Sequence, residues 1–145
     1  MIPEAQKQQM AEAVTKIRET MAAAAKAAGR DPAEVRLCAA CKTRTVEEVR
    51  YSADLPIDLF GENHVQELVE KTDANAYNGK PGHFIGHLQT NKVNTVVGRA
   101  ALIQSVDSTR LLDKIDAAAA RLGLVGAARA GLAAGLSVGW FGRVM

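Results

Sequence analysis

The chain opens with a polar and apolar pattern that has the period of a helix. In residues 3 to 28 the larger apolar side chains fall on one helical face, at Met10, Val14, Ile17 and Met21. Gly29 follows at the position where a helix commonly ends in a left-handed residue. The next apolar run, VRLCAAC at residues 35 to 41, is short and bounded by charge, which is typical of a buried strand. The pattern therefore predicts a long helix and then a strand.

A strand followed by a helix then recurs along the chain. Further strands are predicted at residues 57 to 60, 83 to 86 and 101 to 106. Helices are predicted after the four strands at residues 46 to 53, 64 to 72, 89 to 98 and 109 to 123. The residues proposed to cap them are Thr45 with Glu48, Asn63 with Gln66, and Ser108. The apolar face of the last helix is predicted to carry Leu111, Leu112, Ile115 and Leu122.

Four strand-helix units with short connections predict an α/β fold. Such units form parallel strands joined by right-handed crossovers. The pattern leaves two architectures open, an open doubly wound sheet or part of a (β/α)8 barrel. No G-x-G-x-x-G or P-loop motif follows the first strand to favour nucleotide binding.

Length and charge narrow the function classes. A chain of 145 residues suits one domain, and its formal net charge is only +2. Acidic and basic residues are interspersed and no basic run is interleaved with aromatics, so we expect no nucleic-acid partner. The N-terminus is polar and lacks the pattern of a secretory signal, which predicts a cytoplasmic location.

Two spacings suggest chemistry that we do not expect. Cys38 and Cys41 form a C-x-x-C, but residues three apart in a strand point to opposite faces, so packed thiols are predicted instead of a redox pair. His83 and His87 form an H-x-x-x-H that flanks a predicted strand and lacks the glutamate of the metalloprotease motif. We therefore expect no metal. His83 either lines a pocket or packs in the core.

The composition changes after Asp116. No acidic residue follows it, and residues 123 to 145 hold six of the twelve glycines. Gly131, Gly135 and Gly139 repeat the G-x-x-x-G spacing of membrane helices, but the apolar stretch between Arg129 and Arg143 is shorter than the roughly 20 residues that span a bilayer. We expect no membrane role, and predict a disordered or aberrant tail.

Four stretches together resemble one family, the pyridoxal-phosphate homeostasis proteins (the YggS/PROSC family). They are AACKTRTVEEV, DLFGENHVQELVEK, HFIGHLQTNK and SVDSTRLLDKI, within residues 5 to 122. The family fold is similar to the N-terminal barrel of alanine racemase, which is the type III fold of pyridoxal-phosphate proteins. The resemblance implies the first half of a (β/α)8 TIM-type barrel over residues 1 to 122, preceded by an N-terminal helix.

The resemblance also implies a cofactor and its site. In the family the lysine that closes the first strand holds pyridoxal 5′-phosphate as a Schiff base, which corresponds to Lys42. Only a neutral amine attacks an aldehyde, so we expect partial burial or a nearby cation to lower the pKa of this lysine. If Lys42 faces the barrel interior, the small residues Cys38 and Ala40 share that face. Asn63 could reach the cofactor while capping its helix, and His83 could line the pocket.

The implied function is intracellular vitamin B6 homeostasis by cofactor binding. No catalytic residue and no turnover are expected, because the family lacks demonstrated activity. A racemase-like enzyme is the alternative, although alanine racemases take a second acid/base group from another domain.

The resemblance stops near residue 122. The family binds the cofactor's phosphate from a C-terminal half that this sequence does not match. We interpret residues 123 to 145 as an aberrant, frameshifted tail, which makes a non-functional product of a disrupted gene a further alternative. A half barrel would expose strand edges, through which the chain could self-associate.

Overall fold

The structure is a computed structural model, and it describes residues 1–124. The strands are β1 (Cys38–Ala40), β2 (Leu59–Glu62), β3 (Gly82–Phe84) and β4 (Leu102–Ile103). The helices are α1 (Glu4–Ala27), α2 (Val46–Ser52), α3 (Val65–Asp73), α4 (Val93–Val96) and α5 (Thr109–Arg121), with short 3-10 turns at Pro32–Glu34 and Thr90–Lys92. The tail predicted for residues 123 to 145 lies outside the described residues from position 125 onwards.

The four strands form one parallel sheet in the order β1-β2-β3-β4. Each strand therefore pairs with the next strand in the chain. A doubly wound sheet reverses its strand order at a switch point, whereas a (β/α)8 barrel keeps sequential order around its axis. The described part of the chain has the arrangement of four consecutive barrel units after an N-terminal helix, as the resemblance implied.

One face of the sheet packs against the helices and forms the core. Phe60 and Phe84 are fully buried on this face, and the ring of Phe60 stacks on Tyr77 with centroids 5.3 Å apart. Leu68 of α3 and Ile115 of α5 are buried in the same cluster. Burying an apolar side chain of this size contributes roughly 1.5–3 kcal/mol each.

The opposite face is defined by the strand register. Ala40 pairs with Gly61, and Gly61 pairs with His83, so these three residues form one row across the sheet. Cys38 lies two positions before Ala40 and belongs to the same face. We call this the inner face, because it corresponds to the interior of a barrel. Its residues are Cys38, Ala40, Leu59, Gly61, His83 and Leu102.

Helix α1 is attached near the start of the sheet by a charged contact. Arg18 lies 2.6 Å from Asp58, whose carboxylate also accepts a hydrogen bond from the backbone N–H of Leu37 at 2.5 Å. These bonds hold the pKa of Asp58 below its usual range although burial opposes the shift. Ile17, predicted on the packed face, is 46% exposed.

Three helices end in the same backbone motif. After α1, Gly29 has φ +69°, and the Arg30 N–H bonds to the Ala25 carbonyl at 2.9 Å. Asn75 (φ +50°) after α3 and Gly123 (φ +67°) after α5 occupy the equivalent position. These are Schellman ends, in which a left-handed residue lets the chain satisfy the last helical carbonyls. The predicted role of Gly29 is confirmed.

Several predicted boundaries are wrong. Strand β2 runs two residues further than predicted, because Glu62 is buried and paired instead of exposed. The helix predicted at residues 89 to 98 is shortened to a 3-10 turn and α4. Strands β1 and β4 are shorter than their apolar runs. Leu122 lies after α5 and is 56% exposed, so it is not part of the buried face.

The capping box of α2 makes a stability prediction. The Thr45 hydroxyl accepts from the Glu48 N–H at 3.2 Å, and the Glu48 carboxylate accepts from the Thr45 N–H at 2.8 Å. Thr45→Ala should lower the free energy of unfolding by about 1 kcal/mol in urea denaturation. Thr45→Ser keeps the hydroxyl and serves as the control. An equal loss in both variants would contradict the cap.

Candidate functional site

The carboxyl edge of the sheet carries two of the three residues singled out in the sequence. Lys42 lies two residues beyond Ala40, and Asn63 lies two residues beyond Gly61, on adjacent strands that are paired at those positions. Neighbouring strands are about 4.8 Å apart, so both residues are presented at the same edge. Lys42 is exposed and Asn63 is half-buried. The partial burial expected for Lys42 is not found.

Asn63 does not cap its helix. The cap position of α3 is His64, and no side chain there makes a capping hydrogen bond. The prediction was wrong because β2 extends to Glu62, which places Asn63 in the turn and moves the helix start by one residue. The side chain of Asn63 is thereby released from the capping role.

His83 lies one row deeper on the inner face and is 7% exposed. Its Nδ1 is 2.8 Å from Nε2 of Gln104, and an amide nitrogen can only donate, so Nδ1 accepts and the ring proton is assigned to Nε2. Burial lowers the pKa of His83, and the positive charge of Arg36 lowers it further. His83 is therefore a neutral imidazole near pH 7. Gln104 is a residue that the sequence analysis missed.

Two small residues, Ala40 and Gly61, lie side by side on the inner face one row below Lys42 and Asn63. A Cβ atom at Gly61 would lie 2.7 Å from Cδ1 of Ile85 and 3.1 Å from Sγ of Cys38. The side chains of Ile85 and Cys38 therefore pack over Gly61, and the row continues through His83 to Leu102.

The segments that follow β2, β3 and β4 are in contact at Gly86. A Cβ atom at Gly86 would lie 2.1 Å from the backbone oxygen of Asn63, so only glycine fits there. The hydroxyl of Ser105 donates to the Gly86 carbonyl. These contacts fix the turn that carries Asn63.

A buried charge cluster lies behind the Lys42 loop, on the helix side of the sheet. Nζ of Lys71 is 2.9 Å from Oε1 of Glu62 and 3.6 Å from Oε2 of Glu67, and the Lys71 and Glu62 side chains are 1% and 0% exposed. The Tyr77 hydroxyl donates to Glu62 at 3.2 Å. Burial raises the pKa of Glu62; hydrogen bonds from Lys71 oppose the rise, and the Glu67 carboxyl adds to it.

This cluster contacts the backbone on both sides of Lys42. Lys71 donates to the carbonyl of Cys41 at 2.6 Å, and Oε1 of Glu67 accepts from the N–H of Thr43 at 3.1 Å. Thr43 has φ +66°, a conformation that is strained for a β-branched residue. The sequence analysis missed Glu62, Glu67 and Lys71; the spacing of four between Glu67 and Lys71 was the available signal.

The other candidate chemistry is placed as follows. Cys38 and Cys41 are both free; Cys41 packs in the core, where burial raises its pKa to about 12, so it is a poor thiolate. His87 is exposed and its Nδ1 lies 3.6 Å from Asp107.

Among residues 1–124 no group of three or more His, Cys, Asp or Glu could hold a metal ion. In that same range no helix is long and apolar enough to cross a membrane.

Comparison with known proteins identifies the relatives of this chain. No family model matches it. It is 36% identical over 104 residues to the pyridoxal phosphate homeostasis protein of Aquifex aeolicus, covering 72% of this chain and 46% of that protein. The namesake in Pseudomonas aeruginosa is 35% identical over 106 residues, with coverage of 73% and 46%. The chain is a relative of the pyridoxal phosphate homeostasis proteins. It spans about half the length of the curated relatives it matches.

Solved structures agree with this relationship. A protein from Bifidobacterium adolescentis, described as unknown, superposes with a TM-score of 0.78 at 33% identity, covering 85% of this chain and 54% of that one. PipY of Synechococcus elongatus, solved with pyridoxal phosphate bound, gives a TM-score of 0.59 at 31% identity, with coverage of 71% and 49%. The resemblance seen in the four sequence stretches is confirmed.

The close approach at Gly86 generates a prediction for the site. In Gly86→Ala the new Cβ would overlap the Asn63 backbone, which cannot move aside as a flexible side chain can. We expect the free energy of unfolding, measured by urea denaturation, to fall by about 1–3 kcal/mol or more. Gly61→Ala meets mainly the mobile end of Ile85 and should cost less. Wild-type stability of Gly86→Ala would contradict the geometry of the edge.

Proposed function

We propose that this chain binds pyridoxal 5′-phosphate at the carboxyl edge of β1 to β3, with Lys42 as the residue that holds it covalently. The observation that carries the proposal is the position of an exposed lysine at the carboxyl end of β1, next to Asn63 at the end of the paired strand β2. It is supported by the relationship to pyridoxal phosphate homeostasis proteins and by a structural neighbour solved with that cofactor.

The residues at the edge fit such a ligand. When bound, the cofactor supplies an aldehyde carbon that condenses with a neutral amine and releases one water molecule. Lys42 provides an accessible amine beside Asn63, and the row beneath these two residues carries the small residues Ala40 and Gly61 on β1 and β2. The Asn63 side chain does not cap α3, so it is available to hydrogen-bond a ligand at the same edge.

His83 has a supporting role in this proposal. It is neutral, its Nδ1 is occupied by Gln104, and its Nε2–H is available as a donor from the floor of the site. A neutral donor orients a polar ligand atom without adding positive charge to the site. We assign Lys42, Asn63 and His83 to cofactor binding, and no residue to catalysis.

The biological role that we propose is cofactor homeostasis without turnover, as the names of the relatives suggest. Because the chain covers about half of those relatives, the proposal concerns the contribution of this half to the site. The cytoplasmic location stays a prediction. So does self-association through β1 and β4, which are the edge strands of the described sheet.

A pyridoxal 5′-phosphate titration of the purified chain tests the proposal. We expect a saturable visible absorbance band, and after borohydride reduction, peptide mass spectrometry should locate the adduct on Lys42. Lys42→Ala should lose the band while its circular dichroism spectrum is unchanged, because this side chain is exposed.

Lys92→Ala is the control, since Lys92 is also an exposed lysine and lies in the 3-10 turn between β3 and α4. It should keep the band and the adduct. A band that survives in Lys42→Ala, or equal labelling of Lys42 and Lys92 in the wild type, would contradict the assignment.

A further inference from the structure

We propose that Glu67 and Lys71 are positioning residues that hold the Lys42 loop in its binding conformation through the backbone on both sides of it. This inference rests on the proposed function of Lys42. Neither side chain is given a contact with the ligand. Both act on the peptide groups of Cys41 and Thr43, and thereby on the direction in which Lys42 leaves the main chain.

The two contacts restrain the loop from opposite ends of a three-residue segment. The Cys41 N–H already bonds to the Gly61 carbonyl of β2 at 2.9 Å, which extends the strand pairing by one residue. Lys71 donates a hydrogen bond to the Cys41 carbonyl at 2.6 Å, and Glu67 accepts one from the Thr43 N–H at 3.1 Å. Lys42 is the residue between these anchors.

The conformation of Thr43 needs such an anchor. A β-branched residue rarely adopts the left-handed φ of +66° and keeps it only where the surroundings impose it. The Thr43 N–H is held by a side-chain oxygen of Glu67 on α3, and either a carboxylate or an amide oxygen can accept this hydrogen bond. Without Glu67 the loop could relax to an ordinary backbone conformation and turn the Lys42 side chain away from the inner face.

The anchors are themselves rigid. Glu67 and Lys71 lie four residues apart on α3 and form one side of the helix. Lys71 is immobilised by Glu62 of β2, whose other partner is the Tyr77 hydroxyl. The loop position is therefore set by a strand and a helix together, and not by the loop residues alone.

The cluster also retains unused polar capacity. Oε2 of Glu62 and Oε2 of Glu67 are buried without a hydrogen-bond partner in the described structure, although Oε2 of Glu67 lies 3.6 Å from Nζ of Lys71. Buried oxygens of this kind are costly, and stability alone would favour apolar residues of the same size. A cluster kept at this cost is consistent with a role in placing the loop.

Three variants separate positioning from general stability. Glu67→Ala removes the acceptor for Thr43. Glu67→Gln keeps an amide oxygen that can accept the same bond but removes the charge. Glu70→Ala removes an exposed carboxylate of the same helix and is the control. Circular dichroism and urea denaturation establish that each variant is folded under the assay conditions.

The first readout is ligand-free. Hydrogen exchange of the Thr43 amide, followed by NMR, should be about tenfold faster in Glu67→Ala than in the wild type, as expected for loss of one hydrogen bond. The second readout is the concentration of pyridoxal 5′-phosphate that gives half-maximal borohydride labelling of Lys42. It should rise about tenfold in Glu67→Ala, and stay within about twofold in Glu67→Gln and Glu70→Ala.

The outcomes distinguish this inference from the proposed function. Wild-type labelling of Lys42 together with unchanged labelling in Glu67→Ala would overturn the positioning role alone. Equal losses in Glu67→Ala and Glu67→Gln would also overturn it, because the retained acceptor would then not matter. Absence of Lys42 labelling in the wild type would overturn the proposed function and this inference with it, whatever the Thr43 amide shows.

Discussion

The buried ion pair between Glu62 and Lys71 is the interaction on which the described structure depends. It joins the end of a central strand to the last turn of α3, and both side chains are almost completely removed from water. Taking two charges into the interior is costly, and the cost is offset only when hydrogen bonds satisfy them. Here Tyr77 bonds to Oε1 of Glu62 and the Cys41 carbonyl accepts from Lys71, while Oε2 of Glu62 has no hydrogen-bond partner in the described structure.

This pair explains why the carboxyl edge has its shape. With Lys71 fixed, the backbone after β1 is bound to α3, and Lys42 is presented beside Asn63 at one edge. Below them, the inner face carries Ala40 and Gly61, with Ile85 and Cys38 packed over Gly61. The position of Lys42 thus follows from packing on the helix side of the sheet.

Much of the fold was predictable from the sequence because its signals are local. The Thr45 and Ser108 caps and the left-handed Gly29 act within one helical turn, and all three are found in the structure. The four strand-helix units were also visible, because the strands are short continuous apolar runs and the helices have apolar residues three or four positions apart. Their sequential order in the sheet was not, since strand neighbours are set by tertiary contacts.

The residues that the sequence analysis missed are those whose environment is created by distant parts of the chain. Glu62 looked like a polar residue beyond a strand, yet it is buried within β2 because Lys71 lies opposite. The same extension of β2 displaced Asn63 from its predicted cap. His83 was predicted as pocket or core; its pKa is lowered by burial and by the charge of Arg36, and its hydrogen bond is to Gln104, so both partners lie on other segments.

A double-mutant cycle on Glu62 and Lys71, measured by urea denaturation, tests the central claim most directly. The single variants Glu62→Gln and Lys71→Met each leave a buried group without its partner and should cost about 3–5 kcal/mol. The double variant should cost at least about 2 kcal/mol less than the sum of the two. Additivity within about 0.5 kcal/mol would mean that the two side chains are not coupled, and would contradict the account.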